Sequence, residues 1–328
     1  MTYYEETPAT DYIQAKENKV VNLALTAQPI PYLSGLKLKA DVIINGLTLN
    51  TIDENNVVWV VSDIDGWWTL PDSELPDLPR GWGDGSYDAA GRWANRLITL
   101  SGSFLPQKPE DAAAARNALI SAVTLIKEGG WLKVYEDGLF DPDGYSINPR
   151  GTYVRLSGAP LITSVNARGR HDFAIGLKAV DPIKYEFIDS EGDGYSSTVL
   201  TANGAGTGSV TLTNSGNVPV SINMELSLGF TIPGVTTPTF IKNNATDQEM
   251  VILSGTSSTN RLEIDTYNRE VLEVQYSGST VVNVANGRAK VATLLDWIYL
   301  QPGNNVITVA GFSAGATCTF YYRSGWIG

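Results

Sequence analysis

RWANRLITLSGSF (residues 92–104), PEDAAAARNALISAVTLIKEGG (residues 109–130) and WLKVYE (residues 131–136) read in succession as strand, helix and strand. Pro109 occupies a first-turn position, where its missing N–H costs nothing, and Glu110 and Asp111 stand at the positive end of the helix dipole. Ala112, Ala115, Leu119, Ala122, Val123 and Ile126 recur at spacings of three and four. That periodicity predicts a helix over Pro109–Glu128 with one apolar stripe. Lys127 lies in its last turn, and Gly129-Gly130 stops it. In the strand before it, Leu97, Thr99 and Ser101 alternate with Ile98, Leu100 and Gly102. The stripe has only the flanking strands to pack on, so the first half of the chain is a β-structure carrying one helix.

Reading outward, Asp41–Gly46 is a strand followed by a turn. Asn56–Val61 (NVVWVV) is β-branched and aromatic, as a largely buried strand requires. Asp65-Gly66 marks a turn. Leu70–Asp84 carries Pro71, Pro76, Pro79, Gly81 and Gly83, which exclude a helix and make a long loop. Further strands are expected at Gly151–Gly158 and Asp172–Val180. Residues 1–38 are a polar start with one apolar run, Val20–Leu25, and read as an N-terminal extension or arm. Asp189–Gly208 is polar and glycine-rich, the composition of an inter-domain boundary. Beyond it, short apolar runs separated by turn residues recur at Ser209–Thr213, Val220–Leu228, Glu249–Leu253, Arg261–Ile264, Val271–Tyr276, Asn305–Val309 and Thr319–Tyr322. That rhythm predicts an antiparallel sandwich. Leu294–Leu300 (LLDWIYL) is open between strand and helical turn.

The composition excludes several functions. The net charge of -12 disfavours docking to DNA phosphates or to an anionic membrane. The N-terminus has no signal-peptide core, and no run of about 18 apolar residues is present to span a bilayer. The reading is a chain made in the cytoplasm. The single cysteine, Cys318, lies in a strand-like run and reads as a buried thiol.

The sequence offers little chemistry. A Ser-His-Asp arrangement would rest on the one histidine, His171, which opens a strand from a basic turn, with no Gly-x-Ser-x-Gly nearby. One Cys and one His cannot build a zinc site. Asp137–Gly144 resembles a fragment of a calcium loop, but Asn148 stands where the bidentate Glu belongs, and Asp63–Gly66 is shorter still. Both read as turns. Gly81–Gly85 has the glycines of a phosphate loop without the Lys-Ser/Thr or the helix. No catalytic, cofactor or metal residue is therefore assigned. Of eight tryptophans, Trp59, Trp93 and Trp131 fall in strands, Trp67, Trp68 and Trp82 in loops, and Trp297 and Trp326 in the last segment. Loop tryptophans suit stacking on sugar or, the favoured reading, burial between subunits, where aromatics are enriched.

The order of these pieces resembles the distal tail protein family of long non-contractile-tailed phages, over residues 40–328. Carrying the resemblance are Ile44-Asn45-Gly46, the strand around Trp59, the stretch Leu70–Arg80 into Gly83-Asp84-Gly85, the strand Arg96–Phe104, the helix, and the closing Asp181-Pro182-Ile183-Lys184-Tyr185. In the second half they are Asn214-Ser215-Gly216-Asn217-Val218-Pro219, Leu262–Thr266 with Arg269, Leu300–Asn305, and a last strand with Tyr322, Arg323 and Trp326. Residues 1–38 precede the usual start, and no long carbohydrate-binding insertion interrupts the second domain.

The resemblance implies a mainly β protein. Residues 39–190 would form a ring-forming domain like a tail-tube subunit, a β-sandwich or split barrel with one α-helix. Residues 191–208 would be a linker, and 209–328 a peripheral galectin-like antiparallel β-sandwich. It implies a non-enzymatic virion component at the tail tip, six copies to a ring, through whose channel DNA passes without specific binding. Its partners would be the tail-tube protein, the hub or tape-measure-associated protein, and receptor-binding proteins or fibres. Interface candidates are Trp67, Trp68, Arg80, Trp82, Asp84 and Trp326. Two alternatives stay open: a carbohydrate-binding or glycan-degrading tail protein, and a tail-tube protein proper, for which a second sandwich is superfluous.

Overall fold

The structure, a computed structural model, describes residues 41–74, 78–79, 86–87, 91–136, 148–165, 169–188, 194–227, 239–253, 255–256, 259–293 and 297–328. The chain divides into two units: the first takes in the residues up to Lys184 together with Ile327–Gly328, and the second spans Tyr185–Trp326. Among the described residues it is mainly β, with one α-helix.

In the first unit the strands are β1 (Asp41–Ile44), β2 (Leu47–Leu49), β3 (Val58–Asp65) and β4 (Arg96–Leu105). The helix α1 (Ala112–Leu125) follows, then β5 (Gly130–Tyr135), β6 (Arg150–Leu156), β7 (Leu161–Ser164) and β8 (His171–Ala179). They form one antiparallel path in the order β2-β1-β5-β6-β8-β4-β3, with β7 beside β8. The two ends of the path are tied together. Trp59 N–H donates to Thr51 O at 2.9 Å, and Val61 N–H donates to Asn50 Oδ1 at 2.7 Å. Asn50 makes that bond from a left-handed backbone, φ 60°, a conformation Asn tolerates better than most residues.

The run at 57–61 is buried on both faces, which explains why it does not alternate. Val57, Trp59 and Val61 belong to the main core, while Val58 and Val60 pack with Ile52 and Leu105 on the other side. Of the predicted stripe, Ala115, Leu119, Val123 and Ile126 join the same core as Ile98, Phe104 and Leu132. Leu119 is fully buried, which stabilises the unit by about 1.5–3 kcal/mol. The helix begins later than predicted. Pro109–Asp111 is a 3-10 turn, in which Asp111 N–H reaches Lys108 O, and the α-helix starts at Ala112. It also ends earlier than predicted, at Leu125, so Lys127 falls beyond its last turn; the chain then reverses at Gly129, whose φ of 119° only glycine adopts readily. The predicted strand 92–104 is broken at Ala94, whose N–H turns to Asp72 O; Arg92–Trp93 pairs instead with Ser73–Glu74.

The second unit is a sandwich of two antiparallel sheets. Its strands are β9 (Ser196–Thr201), β10 (Gly208–Asn214), β11 (Val220–Leu226), β12 (Thr239–Asn243) and β13 (Gln248–Ile252). Then come β14 (Asn260–Asp265), β15 (Glu270–Ser277), β16 (Thr280–Asn286), β17 (Val291–Thr293), β18 (Gly303–Ala310) and β19 (Thr317–Tyr322). One sheet runs β9-β19-β11-β14-β15-β16 and the other β10-β18-β12-β13-β17. Ile222, Met224, Leu262, Ile264 and Phe320 from the first sheet enclose one core with Leu212, Ile241, Met250 and Ile307 from the second. Cys318 is in this core, as read from the sequence, and burial pushes its thiol well above the ordinary value.

The expected linker 191–208 is corrected here. Ser196–Thr201 is a strand of the sandwich, paired along its whole length with β19, and Leu200 is buried. Thr198, Val199 and Thr201 carry the β-branching that polar neighbours masked. Of the LLDWIYL run, Trp297 and Ile298 are buried, and Tyr299–Leu300 is a short strand beside β11.

Candidate functional site

Three strand ends meet at one edge of the first unit, since Asp65 pairs with Thr99 and Ala179 with Arg96. The proline-rich stretch of the sequence begins just beyond, at Leu70, so whatever fixes residues 66–69 fixes its root. Gly66, at φ 79°, makes the turn possible; a Cβ there would lie 1.9 Å from Leu97 O.

A buried ionic knot holds this root. Glu136, at the end of β5, accepts from Trp67 Nε1 at 2.8 Å and from Lys184 Nζ at 3.0 Å on one oxygen. Its other oxygen accepts from Arg150 Nη1 at 2.6 Å. Lys184, only 1% exposed, also reaches Trp67 O at 3.3 Å and lies 4.9 Å from the centre of the Trp67 ring. Arg96 donates from Nη1 to Gly66 O at 2.9 Å and Thr69 O at 2.7 Å, and from Nε to Pro182 O at 3.0 Å. Burial holds both Arg96 and Lys184 below their ordinary values, and the Glu136 carboxylate opposes that shift in each. A guanidinium and an ammonium are thus kept charged in a place that disfavours charge. The result is a loop root locked to three strands.

Around this root, several apolar side chains among the described residues reach the surface. Trp68, Leu70, Trp93, Leu97 and Val180 are all exposed, Leu97 to 65%. An apolar rim on a rigid base is what a protein interface needs. Trp67 and Trp68 are adjacent yet opposite in role. Trp67 is fully buried and spends its N–H on Glu136, so its place as an interface candidate is corrected to a core residue; Trp68 is 46% exposed. Trp326 is half-buried in a short strand, Gly325–Trp326. Arg80, Trp82 and Asp84 lie outside the described residues, as does the Asp137–Gly144 turn. His171 opens β8 and stacks on Phe104, ring centres 5.0 Å apart, with Nδ1 2.9 Å from Gly169 O. Among the described residues no group of three or more His, Cys, Asp or Glu could hold a metal.

The knot was not read from the sequence. Lys184 and Trp67 are 117 residues apart, and no local pattern marks either as paired. The one available signal was a lone Glu closing an apolar strand, WLKVYE, where a buried charge demands a partner.

A β-structure carrying one helix, followed by an antiparallel sandwich, is a fold that this chain shares with a solved structure. Among solved structures, the chain resembles the Dit protein (gp 19.1) of phage SPP1, a paradigm of the hub adsorption apparatus in phages infecting Gram-positive bacteria. The TM-score is 0.52 at 14% identity, covering 87% of this chain and 98% of that one. The phage P2 baseplate in its activated conformation matches with a TM-score of 0.45 in the calcium form and 0.41 in the strontium form. Both are at 11% identity over 87% of this chain, and cover 98% and 97% of theirs. No protein-family model and no curated protein sequence matches.

Proposed function

We propose that this chain is a structural protein of a phage tail tip. Six copies close into a ring at the distal end of a long non-contractile tail, joining the tube to the hub. The observation that carries this reading is the extent of the likeness to SPP1 Dit, which takes in 98% of that chain and 87% of this one. A tail-tube subunit would need only the first unit, so the second favours the hub role over the tube role. In this reading the protein acts by geometry and not by catalysis.

The first unit builds the ring, with the knot presenting its apolar rim to a neighbour. A heterologous contact repeated with a rotation of one-sixth of a turn closes on itself. The second unit carries receptor-binding proteins or fibres. Part of the net charge of -12 lines the channel, where carboxylates repel DNA phosphate and let the genome slide. Retention of duplex DNA by the purified chain at low salt would count against that charge placement. Negative-stain microscopy tests the ring itself. Class averages with six-fold symmetry and a central hole are expected; particles with another symmetry overturn the hexamer.

A further inference from the structure

The outward face of the β9–β16 sheet carries a cluster that the ring role does not use. On it, Glu225 stands directly opposite Glu263 across β11 and β14. Like charges so placed destabilise a sheet unless a cation bridges them. Arg261 does so. Its Nε donates to Glu263 at 2.7 Å, its Nη1 donates to Glu225, and its guanidinium lies 4.5 Å from the centre of the Tyr276 ring. Tyr321, whose Oη is 3.5 Å from Glu225, sits across from Asn223 in register. Arg261, Glu225, Glu263, Asn223 and Tyr321 line a cavity of about 280 Å³.

The chemistry of that cavity selects its ligand. Arg261 has five N–H donors, and the two carboxylates leave some of them unused. Each carboxylate in turn keeps lone pairs that the guanidinium does not take. A donor and an acceptor are thereby held side by side in fixed geometry. A vicinal diol matches that pair, because one hydroxyl accepts from the guanidinium while its neighbour donates to a carboxylate. Asp265 and Glu270 also line the cavity, so carboxylates outnumber the one cation and an anionic ligand is repelled. The Tyr321 ring supplies flat apolar area for the C–H face of a sugar. The volume is near the lower end of small-ligand pockets, roughly 300 Å³, which suits one or two sugar rings.

We propose that this face binds a neutral saccharide, through Arg261, Glu225, Glu263, Asn223 and Tyr321. The inference does not depend on the ring: it concerns one face of the second unit and stands for a monomer as well as a hexamer.

The test is calorimetric titration of the full chain with maltotetraose, cellotetraose, chitotetraose and galacto-oligosaccharides, with heparin as the anionic comparator. At least one neutral saccharide is expected to bind and heparin is not. Arg261→Lys, which keeps the charge but loses the fork, is expected to weaken binding about tenfold or more. Asn223→Ala, outside the ionic cluster, is expected to weaken it with no change in the unfolding curve. That second variant separates a lost ligand contact from a damaged fold. Failure of every neutral saccharide to bind, stronger binding of heparin, or binding that survives both substitutions each overturns the proposal.

Discussion

Replacing Glu136 by glutamine removes one charge from the knot that fixes residues 66–69. Three donors then lose a carboxylate: Trp67 Nε1, Lys184 Nζ and Arg150 Nη1. The amide still accepts, but the Lys184 ammonium is left buried with no anion beside it. Breaking a buried pair in this way costs about 3–5 kcal/mol. For a unit of this size that lowers the melting temperature by on the order of 10 °C. The loss also depends on pH. Burial holds Lys184 below its ordinary value of 10.5, and Glu136 opposes the shift. Without Glu136 the folded pKa falls further. Between that folded pKa and the ordinary value the unfolded chain binds more protons than the folded one. Stability therefore rises with pH across this window and is lost as pH falls through the folded pKa. Because the window of Glu136→Gln reaches further down, its deficit against the wild type narrows as pH rises through that window. Urea unfolding followed by tryptophan fluorescence, run at several pH values, measures both effects. Glu74→Gln is the control, since its ion pair with Arg92 is exposed and worth at most about 1 kcal/mol. A Glu136→Gln curve that overlays the control, or a deficit that widens with rising pH, would refute the reasoning.

Three further outcomes are expected. Trp67→Ala should cost about 3–5 kcal/mol in urea unfolding, whereas Trp68→Ala should leave unfolding unchanged and reduce the assembled mass. Asn50→Ala should cost about 1–3 kcal/mol, because Val61 N–H loses its buried acceptor and alanine resists the left-handed backbone; equilibrium unfolding reads it directly. The Cys318 thiol, buried and pushed up by that burial, should react with an aromatic disulfide reagent on the order of a thousandfold more slowly in the folded chain than in urea.

Much of the fold was legible because its signals are local. Proline, two acids, a stripe at spacings of three and four and two glycines define α1 without reference to anything else. Its first turn was misread because a proline fits a 3-10 turn as well as an α-turn. Alternation and turn residues located most of the second sandwich. Ser196–Thr201 was missed because it lies among glycines and serines, and Thr280–Asn286 because every one of its side chains is exposed, leaving no inward face to alternate. The sites were harder to read for a related reason. Glu136, Lys184 and Trp67 come from distant stretches, and only the sheet order brings them together. Arg261 and Glu225 are 36 residues apart and meet because β14 pairs with β11. Trp67 and Trp68 look alike in the sequence; a one-residue difference in which way the chain turns buries one and exposes the other.

The ring reading is tested most directly by the solution mass of the purified full chain, measured by multi-angle light scattering across a range of concentrations. A species near six times the 35.4 kDa of one chain is expected, with lower masses appearing on dilution. A mass that stays at one chain at every concentration, or settles at a multiple other than six, would contradict it.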